Sequence, residues 1–257
     1  MRTVGRNLSE KLVRDFAENI ETCPNMNVAM DILADTVGML GYCRVCYSYL
    51  PTTRLPDGRW APPPVLTRNY PTKWDVEWHR HSSNDPYYHA CFEGTTTVEW
   101  RGVQGRQDLS PLERDSLKYL DDKELHLGIT VPIHLPGRRF AFVSALDHRS
   151  EDGWDKLKTA TRDAIFVIGH YFHNATFYKF KNPFPHRRQG DLSAREIECL
   201  KWAACGKTAE DIACILDRSI ETVRIHLKRA CAKLGAVNRV HAVAKACYLG
   251  LIEFPDR

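Results

Sequence analysis

Apolar residues recur at helical spacing through the last quarter of this chain and follow a shorter alternation through much of its middle. Between Leu192 and Ile252 the pattern predicts four short helices set between turn signals. Ser193 with Glu196, and Thr208 with Asp211, have capping-box spacing, in which side chain and backbone satisfy each other across a first turn. Gly206 closes the first helix. Asp217 and Arg218 break the chain, and Ser219 is a suitable N-cap for the third helix. Gly235 ends that helix, Asn238 caps the fourth, and Gly250 stops it. Val223, Leu227, Ala230, Cys231 and Leu234 form an apolar stripe on the third helix, which anchors its back. Two helices joined by so short a turn can lay the second across a DNA major groove.

Upstream, helix and strand patterns are mixed. Helices are predicted for Asn7–Ile20, Asn27–Leu40, Pro111–Lys123 (capped by Ser110) and Trp154–Tyr178. Strands are predicted for Cys43–Leu50, Val65–Asn69 and Thr95–Trp100. Ile129–Leu135 and Phe140–Asp147 pair as a hairpin across Pro136-Gly137-Arg138. A turn-rich insert, TTRLPDGRWAPPP, separates the first two strands. Helices before, between and after an antiparallel meander predict an α+β domain, a sheet sandwiched by helices. Residues 180–191, FKNPFPHRRQGD, carry Pro183, Pro185 and a basic cluster, and read as a linker. The expected organisation is a sensor domain at 1–179, that linker, and an all-α helix-turn-helix domain at 192–257.

Charge sharpens this division. The chain holds 36 Lys and Arg against 32 Asp and Glu. From Arg187 onward the counts are 13 and 9, so the whole basic excess lies in the C-terminal piece. A neutral domain joined to a basic one suits a small ligand on one side and a polyanion on the other. No apolar run approaches the ~18 residues of a membrane span, and the N-terminus lacks the apolar core of a signal peptide. Nine cysteines, most within apolar patterns, fit reduced thiols in a cytoplasmic protein. Cys43 and Cys46 have metal-like spacing, but residues three apart on a strand point to opposite faces, and no second pair answers them. No metal site or cofactor is expected.

On the third C-terminal helix, Arg224 and Lys228 lie one turn apart and away from the apolar stripe, suited to guanine O6 and N7. Thr222, His226, Arg229 and Lys233, with Arg239 beyond them, surround this pair and are candidate backbone contacts. This segment resembles the DNA-binding domain of the LuxR family of bacterial transcription regulators. The resemblance rests on Glu196, Leu200 and Gly206 and on the strings GKT, TVRIHL, KL and NR, and spans the whole segment. It implies that Arg224 and Lys228 read bases. It also implies a homodimer on double-stranded DNA, with RNA polymerase as a further partner.

The stretch Tyr70–Trp100 concentrates tryptophans, tyrosines and one Asp-Pro. Aromatics with polar tips are common pocket lining, although the same periodicity also fits a plain core. In the LuxR quorum-sensing receptors this region holds an N-acyl-homoserine lactone. Tyr70, Trp74, Asp85-Pro86, Trp100, Gly128 and Ser144 match that family's landmarks in order. The resemblance implies roles that the chemistry supports. The Trp74 indole can only donate, which suits a lactone carbonyl. Ionised Asp85 accepts from an amide N–H. Tyr70 and Ser144 hydroxyls meet the acyl carbonyl, and Trp78 and Trp100 form walls. The chain departs from the family at Trp78, where a tyrosine is usual, and in a shorter run from there to Asp85. A reshaped pocket follows, as in a subgroup without a partner synthase, some of whose members answer to plant-derived compounds.

Two other readings stay open: the same architecture gated by a protein partner or active without ligand, and an enzyme fused to a DNA-binding module. The last finds little support. His79, His81, His89 and Cys91 show no zinc-ligand spacing, and nothing in the sequence supplies Cys91 with a base and an orienter.

Overall fold

The structure, a computed structural model, describes all residues except 1, 52, 56–57, 137–138, 148–150, 181–191, 250 and 253–257; side chains of residues 2–9 and 151–152 are likewise outside it. The predicted linker therefore lies, save for Phe180, outside the described residues, as do the hairpin's Gly137-Arg138 and the helix stop at Gly250. The chain divides into two compact units, one of Met1–Leu50, Pro62–His134 and Phe140–Phe184, the other of Pro51–Ala61, Leu135–Arg139 and Pro185–Arg257.

In the first unit, α1 (Arg2–Thr22) and α2 (Met26–Met39) precede β1 (Arg44–Leu50) and β2 (Val65–Arg68). There follow α3 (Trp74–His81), a single turn at Ser82–Asn84, α4 (Pro86–Ala90), β3 (Val98–Glu99), α5 (Trp100–Gln104) and α6 (Pro111–Asp122). The hairpin of β4 (Leu127–His134) and β5 (Phe140–Asp147) leads into α7 (Glu151–Lys179). The described strands form one antiparallel sheet in the order β2-β1-β5-β4-β3. Asn69, in the left-handed region at φ 64, ends β2 one residue earlier than expected.

The strand predicted over Thr95–Trp100 shrinks to two residues. Trp100 instead begins α5, because its indole N–H donates to Thr130 Oγ1 of β4 at 2.8 Å and turns the chain inward. The short helices α3, α4 and α5 were not expected from the pattern.

Residues two apart on a strand share a face, so register sorts the sheet into two surfaces. One is covered by α7: the Tyr47 ring packs on Phe172 at 4.9 Å, its hydroxyl meets His173 Nδ1 at 3.0 Å, and Gly169 sits against Val131. On the other, Cys46 stands opposite Ser144 and Ser144 opposite Thr130, while Ser48 stands opposite Phe142. This second surface faces a separate core of Trp74, Trp78, Tyr87, Trp100, Leu120 and Leu125.

In the second unit α8 (Ala194–Ala204), α9 (Ala209–Leu216), α10 (Ile220–Leu234) and α11 (Arg239–Tyr248) pack around Leu200, Ile212, Val223, Leu227 and Ala246. Both predicted capping boxes form. Asp217 turns left-handed at φ 50 between α9 and α10, and Gly235, at φ 58, ends α10 where an L side chain would be strained.

Candidate functional site: a ligand cavity and a basic helix

A cavity with about 380 Å³ of empty space, part of it open, lies between the second sheet surface and the short helices. All six residues proposed for it from the sequence line it: Tyr70, Trp74, Trp78, Asp85, Trp100 and Ser144. Several local devices bring them there. Tyr70 follows β2, and its ring lies 4.7 Å from Trp74. Trp74 and Trp78, one turn apart on α3, have ring centroids 5.6 Å apart. Tyr119 of α6 secures this helix, since its hydroxyl donates to the Trp74 carbonyl and its ring stacks on Trp78 at 6.0 Å. Trp78 is thus both wall and core.

Asp85 is the N-cap of α4, with Pro86 at the first helical position. Its Oδ1 accepts the Tyr87 amide at 2.9 Å. Burial pushes the carboxyl up to about 7, against the lowering effect of the Tyr87 and Tyr88 amides. Desolvation thus outweighs the cap and favours the protonated form of Asp85 more than water would.

Trp100 is more than a wall. Its indole lies on Gly128, where a Cβ would come within 2.9 Å of the ring, and Tyr87 stacks on its other face at 4.0 Å. Its N–H occupies Thr130 Oγ1, and Thr130 meets Ser144 Oγ at 2.8 Å. With one lone pair of Thr130 taken, its proton can go to Ser144, leaving the Ser144 proton to donate into the cavity. Sequence reasoning missed Thr130 as the orienting group, and missed Cys46, Val65, Leu120, Leu125 and Phe142 as lining. The signal for Cys46 and Phe142 is cross-strand register with Ser144 and Ser48, which no local pattern carries.

Two of the residues weighed for catalysis, Cys91 and His89, have other partners. Cys91 is buried, its thiol well above the ordinary range through desolvation, and it donates to the Tyr87 carbonyl. His89 bonds Glu113 and the Ser83 carbonyl. Among the described residues no group of His, Cys, Asp or Glu is placed to hold a metal, and no helix is long and apolar enough to cross a membrane.

On α10, Arg224, Lys228 and Arg229 are exposed, while Thr222 and His226 are half-buried. Arg224 rests on Glu210 at 3.2 Å and Glu221 at 3.8 Å, exposed pairs typically worth under ~1 kcal/mol and easily exchanged for another acceptor. Thr222 Oγ1 is bonded to the cap residue Ser219. Lys233, a candidate backbone contact, also makes an ion pair within the unit. Its ammonium holds Glu196 at 2.8 Å, and Glu196 is 3% exposed. Burial alone would raise the Glu196 carboxyl, but Lys233 and the Ser193 amide hold it below its usual range. This lysine locks α10 to α8.

Residues 26–176 match the autoinducer binding domain, and residues 191–246 match the luxR family of bacterial regulatory proteins. The transcriptional activator protein BjaR1 of Bradyrhizobium diazoefficiens is 30% identical over 90% of this chain and 92% of its own length. The quorum sensing-dependent regulator RpaR of Rhodopseudomonas palustris is 36% identical over 62% of this chain and 63% of its own. The fold is shared with SdiA of Escherichia coli, at TM-score 0.62 and 22% identity over 94% of this chain and 98% of that one. The chain belongs to the LuxR family of autoinducer-binding transcriptional regulators.

Proposed function

We propose that this regulator senses a short N-acyl-homoserine lactone, or a close relative keeping its amide and carbonyls, in the cavity bounded by Tyr70, Trp74, Trp78, Asp85, Trp100 and Ser144. The observation that carries this reading is the convergence of those six side chains on one space. Trp74 donates to the lactone carbonyl, Asp85 accepts from the amide, and Ser144 and Tyr70 donate to the acyl carbonyl. The Trp78 indole fills volume a phenol would leave, which favours short, branched or aromatic acyl groups able to stack on it. The protein acts in the bacterial cytoplasm, in keeping with nine free cysteines. It binds as a homodimer, with Arg224 and Lys228 of α10 on base edges and Thr222, His226, Arg229 and Lys233 against the backbone, Lys233 also holding Glu196 of α8. RNA polymerase is its further partner.

A reporter strain carrying the operator and a panel of acyl lactones tests the reading. Short acyl chains should elicit the strongest response, Trp74→Ala and Asp85→Ala should abolish it, and Trp78→Tyr should shift it toward longer straight chains. Best response to a long unbranched chain, with Trp78→Tyr no better, would overturn the altered pocket. No response to any lactone would favour gating by a partner.

A further inference from the structure

Beside the floor of the cavity stands a polar atom with no role in the scheme above. Ser48 of β1 is wholly buried, and its Oγ has no hydrogen-bond partner. It shares a face with Cys46, two residues before it, and is paired across the sheet with Val65 and Phe142. Cys46, Val65, Phe142 and the diagonal neighbour Ser144 all line the cavity. The hydroxyl is therefore ringed by lining residues. Buried hydroxyls nearly always find a partner, and a ligand oxygen in the cavity beside it would supply one.

We propose that Ser48 is a second polar anchor of the cavity and reads an oxygen, carbonyl or hydroxyl, on the acyl tail of the ligand. This rests on the acyl-lactone reading of the site. Ser144 and Ser48 are diagonal neighbours on adjacent antiparallel strands, a relation that separates Cα atoms by roughly 7–8 Å. With Ser144 on the acyl carbonyl, Ser48 reaches an oxygen only a few carbons further along. A serine hydroxyl donates and accepts, so an oxo or a hydroxy substituent satisfies it, whereas a plain methylene leaves it orphaned. Phe142, opposite Ser48, packs with Tyr88 at 6.1 Å and Phe140 at 6.2 Å, an apolar cluster beside the hydroxyl that offers it no polar partner.

The test is a dose–response comparison of the full chain with N-hexanoyl-, N-(3-oxohexanoyl)- and N-(3-hydroxyhexanoyl)-homoserine lactone. Wild type should answer one oxygenated lactone at a concentration about tenfold lower than the plain one, the order expected of one hydrogen bond. Ser48→Ala should erase that preference by weakening only the oxygenated response, while melting of the ligand-free protein stays level or rises. Ser48→Cys, which keeps the volume and a weak donor, should fall between and serves if the alanine variant folds poorly. Equal responses in wild type, or a preference that survives both substitutions, overturn the role of Ser48 and leave the acyl-lactone reading standing. Silence toward all three lactones, with operator binding intact, overturns both.

Discussion

Asp85 is asked to do two things whose electrostatic demands conflict. As the cap of α4 it is tied to a backbone amide, and in its proposed role as ligand acceptor it would be charged against an apolar wall. Its folded pKa, about 7, lies above the ordinary 3.8, so the empty folded state holds the proton more tightly than the unfolded chain. That contribution favours folding most below pH ~4, declines as pH rises toward ~7, and is flat above, a span on the order of 4 kcal/mol. Asp85→Asn keeps a good cap and removes the titration. The difference in melting temperature between wild type and Asp85→Asn should therefore change over that window and nowhere else. A ligand amide favours the charged form, so affinity in wild type should climb with pH up to neutrality and level off; in Asp85→Asn it should be flat. Titration calorimetry across pH checks both, and a pH-independent wild type would show that the carboxyl stays charged. Identity of the pocket residues was legible because each is a chemically distinctive type in a characteristic order. Their protonation and hydrogen-bond direction were not, since those depend on Thr130, Gly128 and Tyr87 arriving from other elements.

The C-terminal helices were readable because their boundaries are set by local chemistry. A serine or threonine three residues before a carboxylate makes its own stop and start, and both predicted boxes formed. The small helices around the cavity lack such signals. Lys73, before α3, is left-handed at φ 60 and offers no side-chain cap, and α5 begins on a tryptophan held from across the sheet. Tertiary contact overrides propensity there. On the proposed reading, the exposed cations of α10 separate into two duties. Arg224→Ala should cost about 1–3 kcal/mol of operator binding and relax preference at one base position per half-site. Arg229→Ala should weaken all sequences evenly and flatten the salt dependence. Binding-site selection with each variant checks this, and an unchanged preference in Arg224→Ala would move the base-reading surface elsewhere.

At the scale of the whole molecule, a ligand bound by only one unit should stabilise only that unit. A hundredfold excess over Kd adds about 2.7 kcal/mol to the native state that binds it. In calorimetry of the full chain, an active lactone should raise the transition of the sheet-containing unit and leave that of the helical unit in place; equal shifts in both would place the ligand's effect elsewhere. The division into a neutral α/β piece and a basic helical piece was legible from charge and periodicity, whereas the floor of the cavity was not. Its contacts join Cys46 to Ser144 and Ser48 to Phe142, nearly a hundred residues apart, and nothing local announces them. That separation has a temporal side. The strand at the centre of the sheet, β5, is the last of the five in chain order, and β1 and β4 flank it. A chain emerging from the ribosome has no complete floor until residue 147 is free. Until then β1 waits with an open edge, the kind of exposed surface that invites aggregation and proteolysis.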